Sequence, residues 1–431
     1  MVKEDYKKYP LRELFRHLVS LNSVDNDKVA ELYFHALLGA MLKNVRIIKG
    51  GSSFIDLRIP IVWIQNSRTG KGALNKTLHS IAGKLGLNVT TTTEVTTAGM
   101  VGKIDDKAEE YNTKYGLSPE IPFVEIKNKM YEYRDPVVRG DLGNYDIIII
   151  DEAKILLEPT KYTEQLLTVL QPVMDSPGWV RKKLSSRYAV EYGCSPTIIA
   201  TTYFFNSIKD VIANQGFFQR VAFYIRDLDV ETILNMRNEA MQIAQKGSVD
   251  KYQKLEKIFI ERMLTEVNTE EQEIFIHPET FPVLEKLRKS FFEKIQKSLT
   301  GAELRAALSF SNTIEELVLK ISGHYAVIRG EKEIRTNVVL ISYKFVKNVI
   351  STILDKMEIE EDKNKSRHID TIKRVYNDCP QPITKTAFYA VLQKRLKIGK
   401  NKAGKIVNRL IRENYLYEEK GEKNTQYLKI R

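Results

Sequence analysis

Cysteine is nearly absent from this chain. The 431 residues hold two, Cys194 and Cys379, far apart. Such a pair builds neither a disulfide scaffold nor a Cys-rich zinc site, and it predicts a reducing, cytoplasmic setting. The six histidines are scattered, with none paired at metal-ligand spacing, which argues against a zinc hydrolase. No apolar run reaches membrane-spanning length, and the charged start MVKEDYKKYPLRELF has no signal-peptide core, so no membrane partner is expected. Disorder over most of the chain is excluded too, because apolar runs recur from end to end.

What the chain has is length and unevenly spread charge. Its length exceeds one ordinary core, so two or three domains are expected. The formal net charge is +12 with histidine neutral. Residues 371–431 hold 15 Lys and Arg against 5 Asp and Glu, which leaves the other 370 residues close to neutral. A small basic module with its own apolar pattern points to a polyanion, and DNA is the expected partner.

Residues 1–58 read as an N-terminal helical segment, with Val29, Leu32, Leu37, Leu38 and Met41 at helical spacing and short β-like pieces after residue 45. Strands are predicted at 59–64, 87–92, 145–150, 196–202 and 220–225. Helices are predicted at 72–85 and 161–173, and hairpins at 121–135 and 177–193. The run Ile147-Ile148-Ile149-Ile150 is apolar on both faces, as in a central parallel strand. From 230 to 359 the pattern is almost entirely helical, 360–367 is a charged linker, and 368–431 read as a winged helix. The predicted fold class is an α/β P-loop NTPase core over 59–229, a helical lid and a C-terminal winged-helix domain.

Two motifs carry the chemistry. The turn after the first buried strand reads Gln65-Asn66-Ser67-Arg68-Thr69-Gly70-Lys71-Gly72. A loop between a buried strand and a helix start points backbone N–H groups at one centre, and a lysine at its end reaches nucleotide phosphates. The second motif is Asp151-Glu152, directly after the Ile-rich strand. There an Asp holds Mg²⁺ and a neighbouring Glu deprotonates the attacking water. Thr201 and Thr202 end another apolar strand, and Arg220 precedes a short one. The first pair is a candidate for positioning the water, and Arg220 a candidate arginine finger.

The order of these signals resembles the AAA+ ATPases of the minichromosome maintenance type, the hexameric replicative helicases and their relatives on mobile elements. Leu37-Leu38-Gly39-Ala40 is similar to that family's entry to the phosphate loop. Thr92-Thr93-Glu94-Val95-Thr96-Thr97-Ala98-Gly99-Met100 resembles its strand and Ser/Ala-Gly-Leu helix start, and Val138–Tyr145 resembles the segment before its Walker B motif. Gly216–Arg220 resembles its finger segment.

The resemblance implies a ring, likewise hexameric, with ATP and Mg²⁺ held between subunits. Asn66 to Gly72 would bind ATP, Asp151 the metal, Glu152 would be the base and Arg220 the finger. Thr201 or Thr202 would stand at sensor 1, where the family has asparagine. The two hairpins would face DNA, with Lys127 and Lys129 on the first and Arg181, Lys182, Lys183 and Arg187 on the second.

The chain departs from the family at further places. Gln65 replaces the first loop glycine, and Gly72 replaces the hydroxyl residue that contacts Mg²⁺. Thr313 stands where sensor 2 has an arginine, with Arg305 as the substitute. The family's large N-terminal DNA-binding domain is missing from this reading, as in a reduced viral or plasmid helicase. In the basic module, Lys402, Lys405, Arg409, Lys420 and Lys423 are the candidate DNA contacts, on the third helix and the wing. The expected function is an ATP-driven DNA motor. An AAA+ origin-binding initiator and a nucleotide-switched DNA-binding regulator without turnover are the alternatives.

Overall fold

A computed structural model describes residues 6–21, 27–51, 53–67, 69–93, 95–156, 160–184, 188–203, 215–245, 249–298, 304, 307–308, 311–379, 383–396, 403–404, 406–408, 411, 416–420 and 426–430. The chain divides into two compact units, Met1–Lys356 and Met357–Arg431.

The first unit opens with helices α1 (Leu11–Ser20) and α2 (Asp27–Met41), then strands β1 (Val45–Gly50) and β2 (Ser53–Asp56). Strand β3 (Ile61–Gln65) leads into α3 (Lys71–Lys84) and β4 (Val89–Thr92). A two-stranded pair, β5 (Gly102–Ile104) with β8 (Val137–Arg139), brackets α4 (Asp106–Tyr115) and a hairpin of β6 (Phe123–Ile126) and β7 (Lys129–Glu132). Strand β9 (Ile147–Ile150) is followed by α5 (Lys161–Met174). A second hairpin comes next, of β10 (Trp179–Lys183) and β11 (Ala189–Gly193), then β12 (Thr197–Thr202) and β13 (Ala222–Arg226).

The centre of this unit is a five-stranded parallel sheet in the order β13-β3-β12-β9-β4. Its strands lie where the sequence places them, and both hairpins form as predicted. The four isoleucines of β9 are all fully buried, as are Ile61, Val62 and Trp63 of β3. Each such side chain contributes about 1.5–3 kcal/mol by leaving water. An α/β class with this sheet is compatible with a P-loop-like core.

Beyond the sheet the unit is helical. Helices α6 (Val230–Gln245), α7 (Val249–Glu266), α8 (Phe281–Ser298) and α9 (Ser311–Ile328) precede α10 (Thr336–Asn377), whose residues from Met357 on belong to the second unit. The stretch 230–359 is mostly helical, as expected, and adds two short strands, β14 (Gln272–Ile276) and β15 (Glu333–Ile334). Two expectations are corrected here. The segment 1–58 is not simply a helical lead-in, because β1 pairs in parallel with β14 in a sheet of order β15-β14-β1-β2. Residues 360–367 lie inside α10, together with the first residues of the basic module, and so form no separate linker. Within α10, the stretch Thr336–Leu354 is long and apolar enough to cross a membrane by length and composition, a run that the sequence reading did not register. Close to half of it is buried in the fold, where Val339, Val346 and Ile350 join the core.

The second unit has an antiparallel sheet in the order β16 (Ile383–Thr384), β18 (Gln426–Ile430), β17 (Leu416–Lys420). Phe388 and Leu392 of α11 (Lys385–Leu396) are fully buried there, with Ala403, Val407 and Leu428. Thr384 Oγ1 accepts from the amide of Ala387 at 3.2 Å and so caps α11. Both cysteines are free and buried.

One buried polar contact joins the N-terminal and C-terminal parts of the first unit. His35 of α2 and His324 of α9 stack with ring centroids 5.2 Å apart and their Nδ1 atoms at 3.0 Å. His324 Nε2 lies 2.9 Å from the Leu57 carbonyl, which only accepts, so this nitrogen carries the proton. Neutral His324 then accepts from His35 Nδ1–H, and His35 Nε2 is left buried without a partner. Burial holds both rings below the usual histidine range, His324 at about 3. The unfolded chain therefore binds protons below pH 6.5 that the fold refuses. Stability is full above that pH and falls by about 1.4 kcal/mol per pH unit per histidine beneath it. Urea midpoints should drop between pH 7 and 5, and His35→Phe, which keeps a ring among Phe34, Tyr325 and Phe345, should reduce that drop.

Candidate functional site

The predicted phosphate loop and the acidic pair meet at the carboxyl ends of the parallel strands, where open α/β sheets bind ligands. The loop follows β3, Asp151 follows β9, and β12 runs between them. Register fixes the rest. Ile150 pairs with Ala200, so Asp151 falls beside Thr201. Thr201 Oγ1 donates to Asp151 Oδ1 at 2.7 Å, Asn75 Nδ2 of α3 donates to Thr201 Oγ1 at 3.3 Å, and Tyr33 OH of α2 donates to Asn75 Oδ1 at 2.7 Å. Tyr33, Asn75 and Thr201 are buried, so the chain of hydrogen bonds is shielded from water and orients one carboxylate oxygen.

The loop is held from below by the residue that departs from the family pattern. Gln65 is 1% exposed. Its Oε1 accepts from Trp63 Nε1 at 3.2 Å, and its Nε2 donates to the Thr69 carbonyl at 3.4 Å. Thr69 Oγ1 donates to the Asn66 carbonyl at 2.6 Å, and Asn66 Oδ1 accepts from the Leu228 amide at 2.9 Å. Gly70 caps α3 at φ 91°, in the left-handed region that favours glycine.

Lys71 opens α3 and folds back onto the loop, donating to the carbonyls of Gln65 and of Asn66, the latter at 2.8 Å. Burial pushes its pKa down to about 8, against the opposing pull of Asp151. A half-buried ammonium and the backbone N–H groups of a helix start lie together here, and such groups fit phosphate oxygens. Asp151, oriented by Thr201, offers the carboxylate oxygens that Mg²⁺ takes. Position 72 adds no oxygen, but a side chain added there meets nothing within 4 Å. Ser67 is exposed beside these groups.

Glu152 is exposed and sits at φ 58°, a left-handed position rare for a residue with a Cβ. Strain of this kind collects at functional sites. Thr202 is buried on the strand next to Thr201.

Arg220 lies elsewhere. It precedes β13, whose first residue pairs with the first residue of β3, so it stands at the amino end of the sheet, opposite Lys71. Its Nε donates to Asp175 Oδ1 at 2.5 Å, Nη2 to Oδ2 at 3.3 Å, and Nη1 to the Gly216 carbonyl. Thr313 donates to the Gln219 carbonyl and thus joins the Arg220 segment, away from its own chain's phosphate loop. Asp175 is tied in turn to Arg58, which is 2% exposed, donates to the carbonyls of Val173 (2.9 Å) and Asp175 (2.8 Å), and pairs with Asp56.

Lys127 and Asn128 form the turn of the first hairpin, both at positive φ, with Lys127 and Lys129 exposed. Arg181 and Lys183 are exposed on the second hairpin, and Lys182 is half-buried. Lys420 ends β17. Arg68, Arg187, Arg305, Lys402, Lys405, Arg409 and Lys423 lie outside the described residues.

No protein-family model matches the chain, and no curated protein matches it.

Sequence reasoning missed Tyr33, Asn75 and Asp175. A Tyr or Asn on an apolar helix face carries no signal of the strand end it will meet. The strain at Glu152 yields a prediction. Glu152→Gly should raise stability by about 0.5–1 kcal/mol in urea unfolding, the left-handed cost removed less the added chain entropy.

Proposed function

We propose that the chain is an ATP-driven DNA motor of the AAA+ class, related to the minichromosome maintenance helicases, working as a ring. The observation that carries this reading is Lys71. It is a desolvated cation at the helix start after β3, within electrostatic reach of a carboxylate oriented by a buried hydrogen-bond chain after β9. A half-buried lysine folded onto loop carbonyls at a helix start adds little stability, and a bound phosphate would give its charge a use.

In this reading Lys71 and the loop amides from Asn66 to Gly72 hold the β- and γ-phosphates. Asp151 would hold Mg²⁺, which when bound neutralises charge on the phosphate oxygens. Glu152 takes the proton of the water that attacks the γ-phosphorus, and ADP leaves. Thr201 acts through Asp151 and is a positioning residue; Thr202 remains the sensor candidate.

The place of Arg220 supports shared sites. At the amino end of the sheet it is remote from its own chain's Lys71, so a finger role requires a neighbour's nucleotide. Both hairpins support DNA contact through their exposed cations. The second unit, with helices on a three-stranded antiparallel sheet and a strongly basic sequence, supports a winged helix that binds duplex phosphates.

A non-hydrolysing nucleotide-held regulator is the second reading, and Gly72 favours it, since the metal lacks a hydroxyl ligand there. Turnover by the purified protein, with and without DNA, decides between them. Lys71→Ala should abolish ATP binding. Glu152→Gln should bind ATP and turn it over about 100-fold more slowly or worse. Arg220→Ala should lose about 1000-fold and recover when mixed with Lys71→Ala subunits. Absence of turnover in the wild type with ATP still bound would remove the motor reading.

Position 72 gives an independent check. Gly72→Ser fits the open space, and turnover should reach half its maximum at a lower Mg²⁺ concentration. If only this variant turns ATP over, the natural protein is the regulator.

A further inference from the structure

The second hairpin presents two different faces. Residues alternate along its strands, so Val180 and Lys182 share one face with Val190 and Tyr192. That face packs on the body: Tyr192 donates to the Val101 carbonyl at 2.9 Å, and Arg139 lies over its ring at 5.1 Å. The other face is turned to solvent and carries Trp179, Arg181 and Lys183 at every second position.

Trp179 is 44% exposed, an unusual place for the largest apolar side chain in a fold that buries its other tryptophan completely. Its cross-strand partner is Gly193, and a side-chain carbon added there would stand 3.6 Å from the indole. The ring therefore lies over bare backbone, with no neighbouring side chain from Gly193 to cover it. Arg181 and Lys183 follow on the same face at intervals of about 6.6 Å. Glu191 faces Arg181 at 3.7 Å, but both are highly exposed, and such a pair is worth little against a phosphate. Over 177–193 the sequence has four Lys and Arg and one acid.

The geometry points to a stacking platform for single-stranded DNA, in which a base lies on Trp179 and the phosphates beside it meet Arg181 and Lys183. An exposed indole flanked by cations suits an unpaired base, whose face is free. In a duplex each base face is covered by the base pairs stacked above and below it, and none is free. This rests on the DNA-motor reading and narrows it, by assigning the hairpin to the unpaired strand and the affinity to stacking as well as charge.

Trp179 and Trp63 are the only tryptophans. Trp63 is fully buried with its indole N–H on Gln65, so changes in emission report on Trp179. The full-length protein is titrated with a labelled oligo-dT of about twelve nucleotides and with a duplex of equal length. Binding is read by anisotropy and contact by tryptophan emission. Oligo-dT should quench the emission and the duplex should not. Trp179→Ala should weaken oligo-dT binding about 5- to 100-fold, with little effect on the duplex, and Trp179→Phe should restore most of it.

Unchanged emission while anisotropy shows oligo-dT bound would overturn the platform. So would a Trp179→Ala loss that is equal on both forms of DNA. In either case DNA-stimulated ATP turnover would leave the motor reading standing. If neither form of DNA binds, both proposals fall together.

Discussion

Everything at the candidate site depends on one hydrogen-bond chain, from Tyr33 through Asn75 and Thr201 to Asp151. It ties two helices and two strands to a single carboxylate oxygen. Each link is modest, of the order of 1 kcal/mol. Its effect on geometry is larger, because a buried donor left unmade would cost about 1–3 kcal/mol. The helix that follows the loop after β3 is therefore locked in register against the strand that supports Asp151. Lys71 opens that same helix, so the position of the cation and the orientation of the carboxylate are set together.

A second polar junction lies at the other end of the sheet. Arg58 spends its donors on Asp56 and on the carbonyls of Val173, Asp175 and, at 3.4 Å, Pro196. These residues belong to the end of α5 and the approach to β12, on either side of the second hairpin. Burial pushes the Asp56 carboxyl up, but Arg58 and Lys320 outweigh it and hold it below the usual range. Removing one member of such a buried pair typically costs 3–5 kcal/mol, about that much here. Arg58 thus anchors the base of the hairpin to strand β2 and, through Lys320, to helix α9.

The sequence is legible where periodicity is local. The five core strands, both hairpins, α3 and α5 follow from alternation, apolar runs and turn residues within short windows. The isoleucines of β9 and the Asp151-Glu152 that follows them could be read without any partner in view. Strand β14 could not. It is five residues, Gln272–Ile276, between long helical patterns, and its partner β1 lies more than 200 residues earlier in the chain. Nothing local marks such a pairing. The same holds for Asn75 and Tyr33, whose role exists only because α2 and α3 meet the end of β12. Residues 360–367 fail for another reason. A dense run of charge reads as a linker, yet Glu and Lys are good helix formers, and helix α10 runs straight through.

The pair formed by Arg220 and Asp175 bears on how a finger proposed to act on a neighbour behaves before the neighbour arrives. Both side chains are substantially exposed, 33% and 52%. An ion pair so open to water and salt stabilises by about 1 kcal/mol or less, even with two contacts. Asp175 can therefore hold the guanidinium in an extended, ordered conformation without holding it strongly. The anchoring of the Asp175 backbone by Arg58 makes that hold well placed, because the carboxylate sits on a buried, rigid support. A phosphate with its greater charge, in a site closed by a second subunit, outbids such a carboxylate, since charge-assisted contacts strengthen as water is excluded. On the proposed reading, the contact in the isolated chain keeps the finger ordered at little cost to its transfer. The Arg58 junction also joins Arg220 to the hairpin that carries Trp179, giving the two a shared mechanical base.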